Sequence, residues 1–183
     1  MDLEEHLRSK SSRVPSIKGL SIRFLKTYLQ PITSSFLGVF SEKNIPPRLS
    51  RKQNGTMIIL LGKSAQEVGH YVTLILSPQY VLYIDTFGLP CLSSSIRTFI
   101  ARSKRDLFFN TKQIQAVTSK YCGIYSILWV LLFDEKNKRV KSVKFQAPHL
   151  NDDLCRMYII KIINKNALYS SAFISHFFYI EKE

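Results

Sequence analysis

Cys122 stands where the polar stretch 113–121 gives way to the unbroken apolar run 123–133, GIYSILWVLLF. That run is too short to cross a bilayer, which takes roughly 20 residues, so it predicts a helix buried on all sides. A helix starting near Cys122 sets the thiol among unpaired backbone N–H groups at the positive end of the helix dipole. Both favour the thiolate. A lone cysteine beside an apolar run is more commonly a small buried core side chain, so its partners decide what chemistry it can do.

The partners come from a predicted hairpin. Residues 69–76 (GHYVTLIL) and 80–86 (YVLYIDT) both read as strands, joined by a turn at Ser77, Pro78 and Gln79. With Ser77 and Pro78 as the two loop residues, paired positions sum to 155, which sets His70 directly across from Asp85. Directly opposed Cβ atoms lie roughly 4.5–5.5 Å apart, close enough for a carboxylate to hold an imidazole N–H and fix its tautomer. A slip of one residue puts the two side chains on opposite faces. Taken singly, His70 reads as a half-buried strand histidine and Asp85 as a turn-capping aspartate before Phe87 and Gly88. Taken with Cys122 and a nearby side-chain amide, they supply the base, the orienting acid, the nucleophile and the oxyanion donor of a cysteine hydrolase. Gln115, seven residues before Cys122, is the candidate donor, with the Cys122 backbone N–H as the second; Gln113, on the same face of a predicted strand, competes with it.

The elements that must carry these residues read as follows. Residues 21–30 form a helix with Phe24, Leu25, Tyr28 and Leu29 at helical spacing, ended by Pro31. Residues 34–49, with a glycine and the paired Pro46 and Pro47, read as a packed loop. Residues 56–61 (TMIILL) make a short buried strand. Residues 93–102 make a helix turning Ile96, Phe99 and Ile100 inward, followed by a strand near 113–117. Two closing helices are expected at 152–164 and 167–180. The fold class is α+β: an antiparallel or mixed central sheet packed on a buried central helix, in one domain over residues 1–183.

Composition narrows the function classes. The 183 residues are 45% hydrophobic, enough for one globular core. The opening stretch 1–13 lacks the apolar core of a secretion signal, and no apolar stretch is long enough for a membrane span, so the expectation is an intracellular protein with no membrane partner. Cys91, Cys122 and Cys155 form no C-x-x-C pair, which argues against a disulfide framework and against a cysteine-rich zinc site; no cofactor or metal is expected. A net charge of +13, from 26 Lys and Arg against 13 Asp and Glu, draws a molecule toward polyanions. The competing account, lysines solvating an apolar-rich surface, weighs about equally. Clustering at Arg48, Arg51 and Lys52, at Arg102, Lys104 and Arg105, and at Lys136, Lys138, Arg139, Lys141 and Lys144 tips the balance toward non-specific DNA binding.

The chain also resembles the adenain family, the cysteine endopeptidases of adenoviruses and of the self-synthesising transposons called polintons or Mavericks, whose core is shared with SUMO-specific proteases. The resemblance runs from SSFLGVFSEKNIP through GHYV and LYIDTFGLP to QAVTSKYCGIYSILW, in the order His, acid, Gln, Cys. It implies a general base at His70, its acid at Asp85, the oxyanion glutamine at Gln115 and the nucleophile at Cys122. It further implies a monomeric endopeptidase that cleaves capsid or core precursor proteins during virion maturation, in the virion or the host cell nucleus. A protease for ubiquitin-like modifiers and an inactive basic DNA-binding or scaffold protein are the alternatives. Three positions depart from the family pattern: Tyr71 stands where Trp is common, Asp85 where adenoviral members often have Glu, and no cysteine lies between Leu92 and Tyr121 to hold a disulfide-linked activating peptide. An activating peptide is therefore expected to bind non-covalently, by adding a strand to a sheet edge, and DNA is a second candidate activator.

Overall fold

The computed structural model describes residues 20–47, 53–62, 69–134, 136–137 and 139–165. The expected helix at 167–180 and the basic residues Arg48, Arg51, Lys52 and Lys138 lie outside them. The first helix, α1 (Ile22–Leu29), starts at Ser21, whose Oγ accepts the Phe24 N–H at 3.1 Å, and it buries Leu25 and Leu29. Five strands follow: β1 (Phe36–Ser41), β2 (Gly55–Leu61), β3 (His70–Leu76), β4 (Tyr80–Ile84) and β5 (Asp106–Phe109), in the spatial order of the sequence. The inner pairs β2–β3 and β3–β4 are antiparallel, and the outer pairs β1–β2 and β4–β5 are parallel, so the sheet is mixed. The parallel β4–β5 pair needs a crossover. Helix α2 (Ser94–Ser103) lies within it, capped by Ser93, whose Oγ accepts from the Ile96 N–H.

Helix α3 (Cys122–Leu132) covers one face of the sheet together with α1 and α4 (Asn151–Lys165), and between α3 and α4 runs the short ribbon β6 (Phe133–Asp134) and β7 (Arg139–Val140). Alternation along the strands divides their side chains. Ile58, Leu60 and Tyr71 join Ile124, Tyr125 and Leu128 of α3, whereas Met57, Ile59, Val72, Leu74 and Leu76 join Ile96, Phe99 and Ile100 of α2. Burial on both faces is why β2 and β3 read as continuous apolar runs. Each such Leu or Ile contributes about 1.5–3 kcal/mol on burial. Among the described residues no helix is long and apolar enough to cross a membrane, and no group of three His, Cys, Asp or Glu is placed to hold a metal ion.

The structure departs from the sequence reading in four places. The hairpin pairs Leu76 with Val81 and Thr73 with Ile84, so paired positions sum to 157 rather than 155, and Ser77 donates to Tyr80 O across a Pro78–Gln79 loop. Asp85 thus falls opposite Val72 and His70 opposite Phe87 when the count is continued past the ladder. A two-residue shift preserves the face. Residues 36–41, read as loop, pair with β2 through a bulge between Phe36 and Gly38. Residues 113–117, read as a strand, are irregular, because β5 occupies the place beside β4 and the Ile114 and Gln115 N–H groups both go to Thr86 O. Arg105, grouped with the surface cations, is buried and donates from Nη2 to Gln53 O at 2.8 Å.

Candidate active site

His70 is the first residue of β3 and is anchored by its pairing with Leu61. Asp85 follows the last residue of β4. The geometry closes without direct opposition: His70 Nε2 lies 2.9 Å from Asp85 Oδ1, and the His70 ring stacks on Phe87 with centroids 4.9 Å apart. Oδ1 also accepts the Phe87 N–H at 2.8 Å. With Nε2 given to Asp85, Nδ1 is the ring nitrogen left for Cys122, whose thiol lies near enough to the His70 ring to be lowered by it. The backbone of Tyr71 and of Gly123 acts on the same thiol in the same direction.

The electrostatics follow from these contacts. Burial lowers the His70 pKa, but the hydrogen bonds and charges of Asp85 and Cys122 outweigh it and lift the imidazole to about 9. Burial raises the Cys122 thiol, but the His70 ring and the two backbone groups outweigh it and bring the thiol below its ordinary value. Both shifts act in the same sense, favouring the thiolate of Cys122 and the imidazolium of His70. Cys91 and Cys155 are both pushed up by burial, which at Cys91 outweighs the opposing effects of the Ser93 backbone and the Arg97 charge.

The position of Cys122 is held from behind. It opens α3, and a side chain at the next residue, Gly123, would meet Leu20 Cδ1 at 2.9 Å and the Tyr71 ring at 3.3 Å. Tyr71 is itself fixed, its hydroxyl donating to Leu20 O at 2.6 Å. The residue after the histidine therefore props the helix start that carries the thiol.

Compared with known protein families and curated proteins, the sequence matches none of them. The site must be read from its own chemistry.

Of the four sequence-predicted residues, His70, Asp85 and Cys122 meet. Gln115 is buried on the loop leading to Cys122, but its amide is spent on neighbours: Oε1 accepts from Thr86 Oγ1 at 2.6 Å and Nε2 donates to Ser119 O at 2.8 Å. One Nε2 hydrogen remains beyond that bond. The Gln113 amide donates to Gln115 O at 2.7 Å, so the competing glutamine braces the first. A groove of about 310 Å³ between Pro46, Pro47, Ser94, Thr98 and Arg102 contains none of the His70, Asp85 or Cys122 side chains.

Residues beyond the predicted four hold the site's loops. Gly88, at φ +73°, has its N–H on Asp85 O, and a Cβ there would meet the backbone of Thr111, Lys112 and Gln113 at 2.9 Å. Asn151, fully buried at the start of α4, donates to Ile114 O at 2.8 Å, and Tyr125 donates to Asp152 Oδ1 at 3.0 Å. Asn110 bonds the backbone of Asp85. The turn at Gly88 was legible in the sequence, but an asparagine carries no local mark of the distant group it will bond, so no sequence signal distinguished Asn110 or Asn151.

Proposed function

We propose that the protein is a cysteine-type endopeptidase with the adenain-like cysteine-protease fold. The observation that carries the reading is the Asp85 Oδ1–His70 Nε2 hydrogen bond beside a Cys122 thiol that opens a helix and is lowered by the His70 ring. In this reading the Cys122 thiolate adds to a substrate carbonyl carbon, the C–N bond breaks, and the His70 imidazolium gives its proton to the departing amine. Water then adds to the thioester, its proton returning to His70, and the carboxylic acid product leaves with the thiolate restored. Asp85 keeps the ring oriented and stabilises its charge. The Cys122 backbone N–H and the remaining Nε2 hydrogen of Gln115 are the oxyanion donors. The proposed substrates are structural precursor proteins of a DNA virus or virus-like transposon, a choice that rests on the family resemblance.

The test is cleavage of precursor-derived peptides against a ubiquitin-like fusion, with a thiol-directed substrate probe. Precursor cleavage that Cys122→Ala abolishes supports the proposal; cleavage of the fusion alone reassigns the substrate class. Absence of both, with no probe attached to Cys122, refutes it.

A further inference from the structure

We infer that Asn110 is a positioning residue for the acid of this site, its side-chain amide holding the Asp85 backbone at both of its polar atoms. The inference rests on the peptidase reading. β4 ends at Ile84 and its ladder with β5 ends at Tyr83 and Phe109, so Asp85 lies beyond the last rung that the sheet provides. Asn110 is the next residue after β5. Its Oδ1 accepts the Asp85 N–H at 2.9 Å, and its Nδ2 donates to Asp85 O at 2.6 Å and to Lys112 O at 3.1 Å. One side chain thus stands in for a further rung. With Gly88 N–H also on Asp85 O at 2.9 Å, both lone pairs of that carbonyl are taken.

The consequence reaches His70 through geometry. The histidine is fixed independently by its pairing with Leu61, and the carboxylate must meet it across 2.9 Å from a residue outside any strand. Asp85 Oδ1 is shared with the Phe87 N–H, so a turn of the Asp85 backbone moves the oxygen off the ring and leaves it on Phe87. Asn110 prevents that turn, touching neither the thiol nor the ring.

The test uses the full chain, with peptide kinetics and an NMR titration of the His70 ring. Asn110→Ala should lower kcat about 10²-fold, as a misplacement of about 1 Å does, with KM little changed. The His70 midpoint should fall from about 9 toward the ordinary 6.5, by about one unit as the carboxylate withdraws. Asn110→Asp, equal in size, keeps the acceptor for the Asp85 N–H but sets an oxygen against Asp85 O, and it serves if the alanine variant does not fold; its kcat should fall with KM little changed. Ile100→Val, on the buried face of α2, should lower Tm without moving the titration or kcat. An Asn110→Ala protein with wild-type titration overturns the inference whatever its Tm, because the amide then holds only the loop. So does an Asn110→Asp protein with wild-type kcat. A wild-type His70 titrating at the ordinary value, with no peptide cleavage, removes the peptidase reading and this inference together; a raised wild-type midpoint that neither variant moves removes this inference alone.

Discussion

The two apolar layers flanking the sheet are held in different ways. Beneath α2 the contacts to the sheet are hydrocarbon, Met57, Ile59, Val72, Leu74 and Leu76 against Ile96, Phe99 and Ile100, and the directed side-chain bonds stay at the helix ends, from Ser103 to Ile100 O and from Ser93 to Glu42. Beneath α3 the hydrocarbon is threaded with directed bonds, from Tyr71 to Leu20 O, from Tyr125 to Asp152, from Asn151 to Ile114 O and from Ser126 to Cys122 O. Apolar burial is non-directional and sets how closely layers approach, whereas a hydrogen bond also sets angle. The thiol, the imidazole and the glutamine loop all lie at the edge of the directed layer. Chemistry that depends on orientation is built where orientation is bonded.

Substitutions at the site should break the comparison most visibly. Cys122→Ala should abolish peptide cleavage while leaving the far-UV spectrum and Tm nearly unchanged, and His70→Ala should cost nearly as much rate, since these groups act as a unit. Normal turnover by His70→Ala removes the triad. Gln115→Ala should lower kcat by about 10²–10³ if its spare N–H meets the oxyanion, and should also lower Tm, because it unties Thr86 from Ser119. Gln113→Ala should do less of both, its amide reaching only Gln115 O. A larger kcat loss in Gln113→Ala exchanges the two roles.

The α2 layer should respond in stability alone. Phe99→Ala should lower stability by about 3–5 kcal/mol, with kcat unchanged at temperatures where the variant is folded. A kcat loss there would show that orientation is transmitted through hydrocarbon as well, and the distinction between the layers would fall.

The pH dependence sharpens the site side. The Cys122 thiol is held below its ordinary value, so iodoacetamide should label it at lower pH than Cys91 or Cys155, both raised by burial. Cleavage should rise with pH as Cys122 loses its proton and fall again near 9 as His70 loses the proton it must give the leaving amine. Equal labelling of the three thiols in the folded protein contradicts the assignment of the nucleophile.

The smallest effects belong to the surface charge. Binding to duplex DNA should weaken with salt by a slope of about −0.9 per phosphate contacted. Lys141→Ala and Lys144→Ala, at exposed positions, should each reduce that slope by about 1. Arg105→Ala should lower Tm and leave the slope unchanged, since that guanidinium is directed to Gln53 O inside the protein.

By itself the sequence determined what depends on local composition and parity. The apolar runs 56–61 and 123–133 specified a buried strand and a buried helix, and the change from polar to apolar at Cys122 specified the helix start within a residue. Alternation kept His70 and Asp85 on one face through a two-residue error in register, because side-chain direction repeats every second residue. The tertiary structure decided everything that required a distant partner. Residues 36–41 became a strand because β2 lay open beside them, and 113–117 did not because β5 had taken the edge. The Gln115 amide turned to Thr86 and Ser119, Arg105 turned inward, and Asn110 met Asp85 across 25 positions of chain. Such pairings depend on which segments the packed layers bring together, and no window of neighbouring residues contains that information.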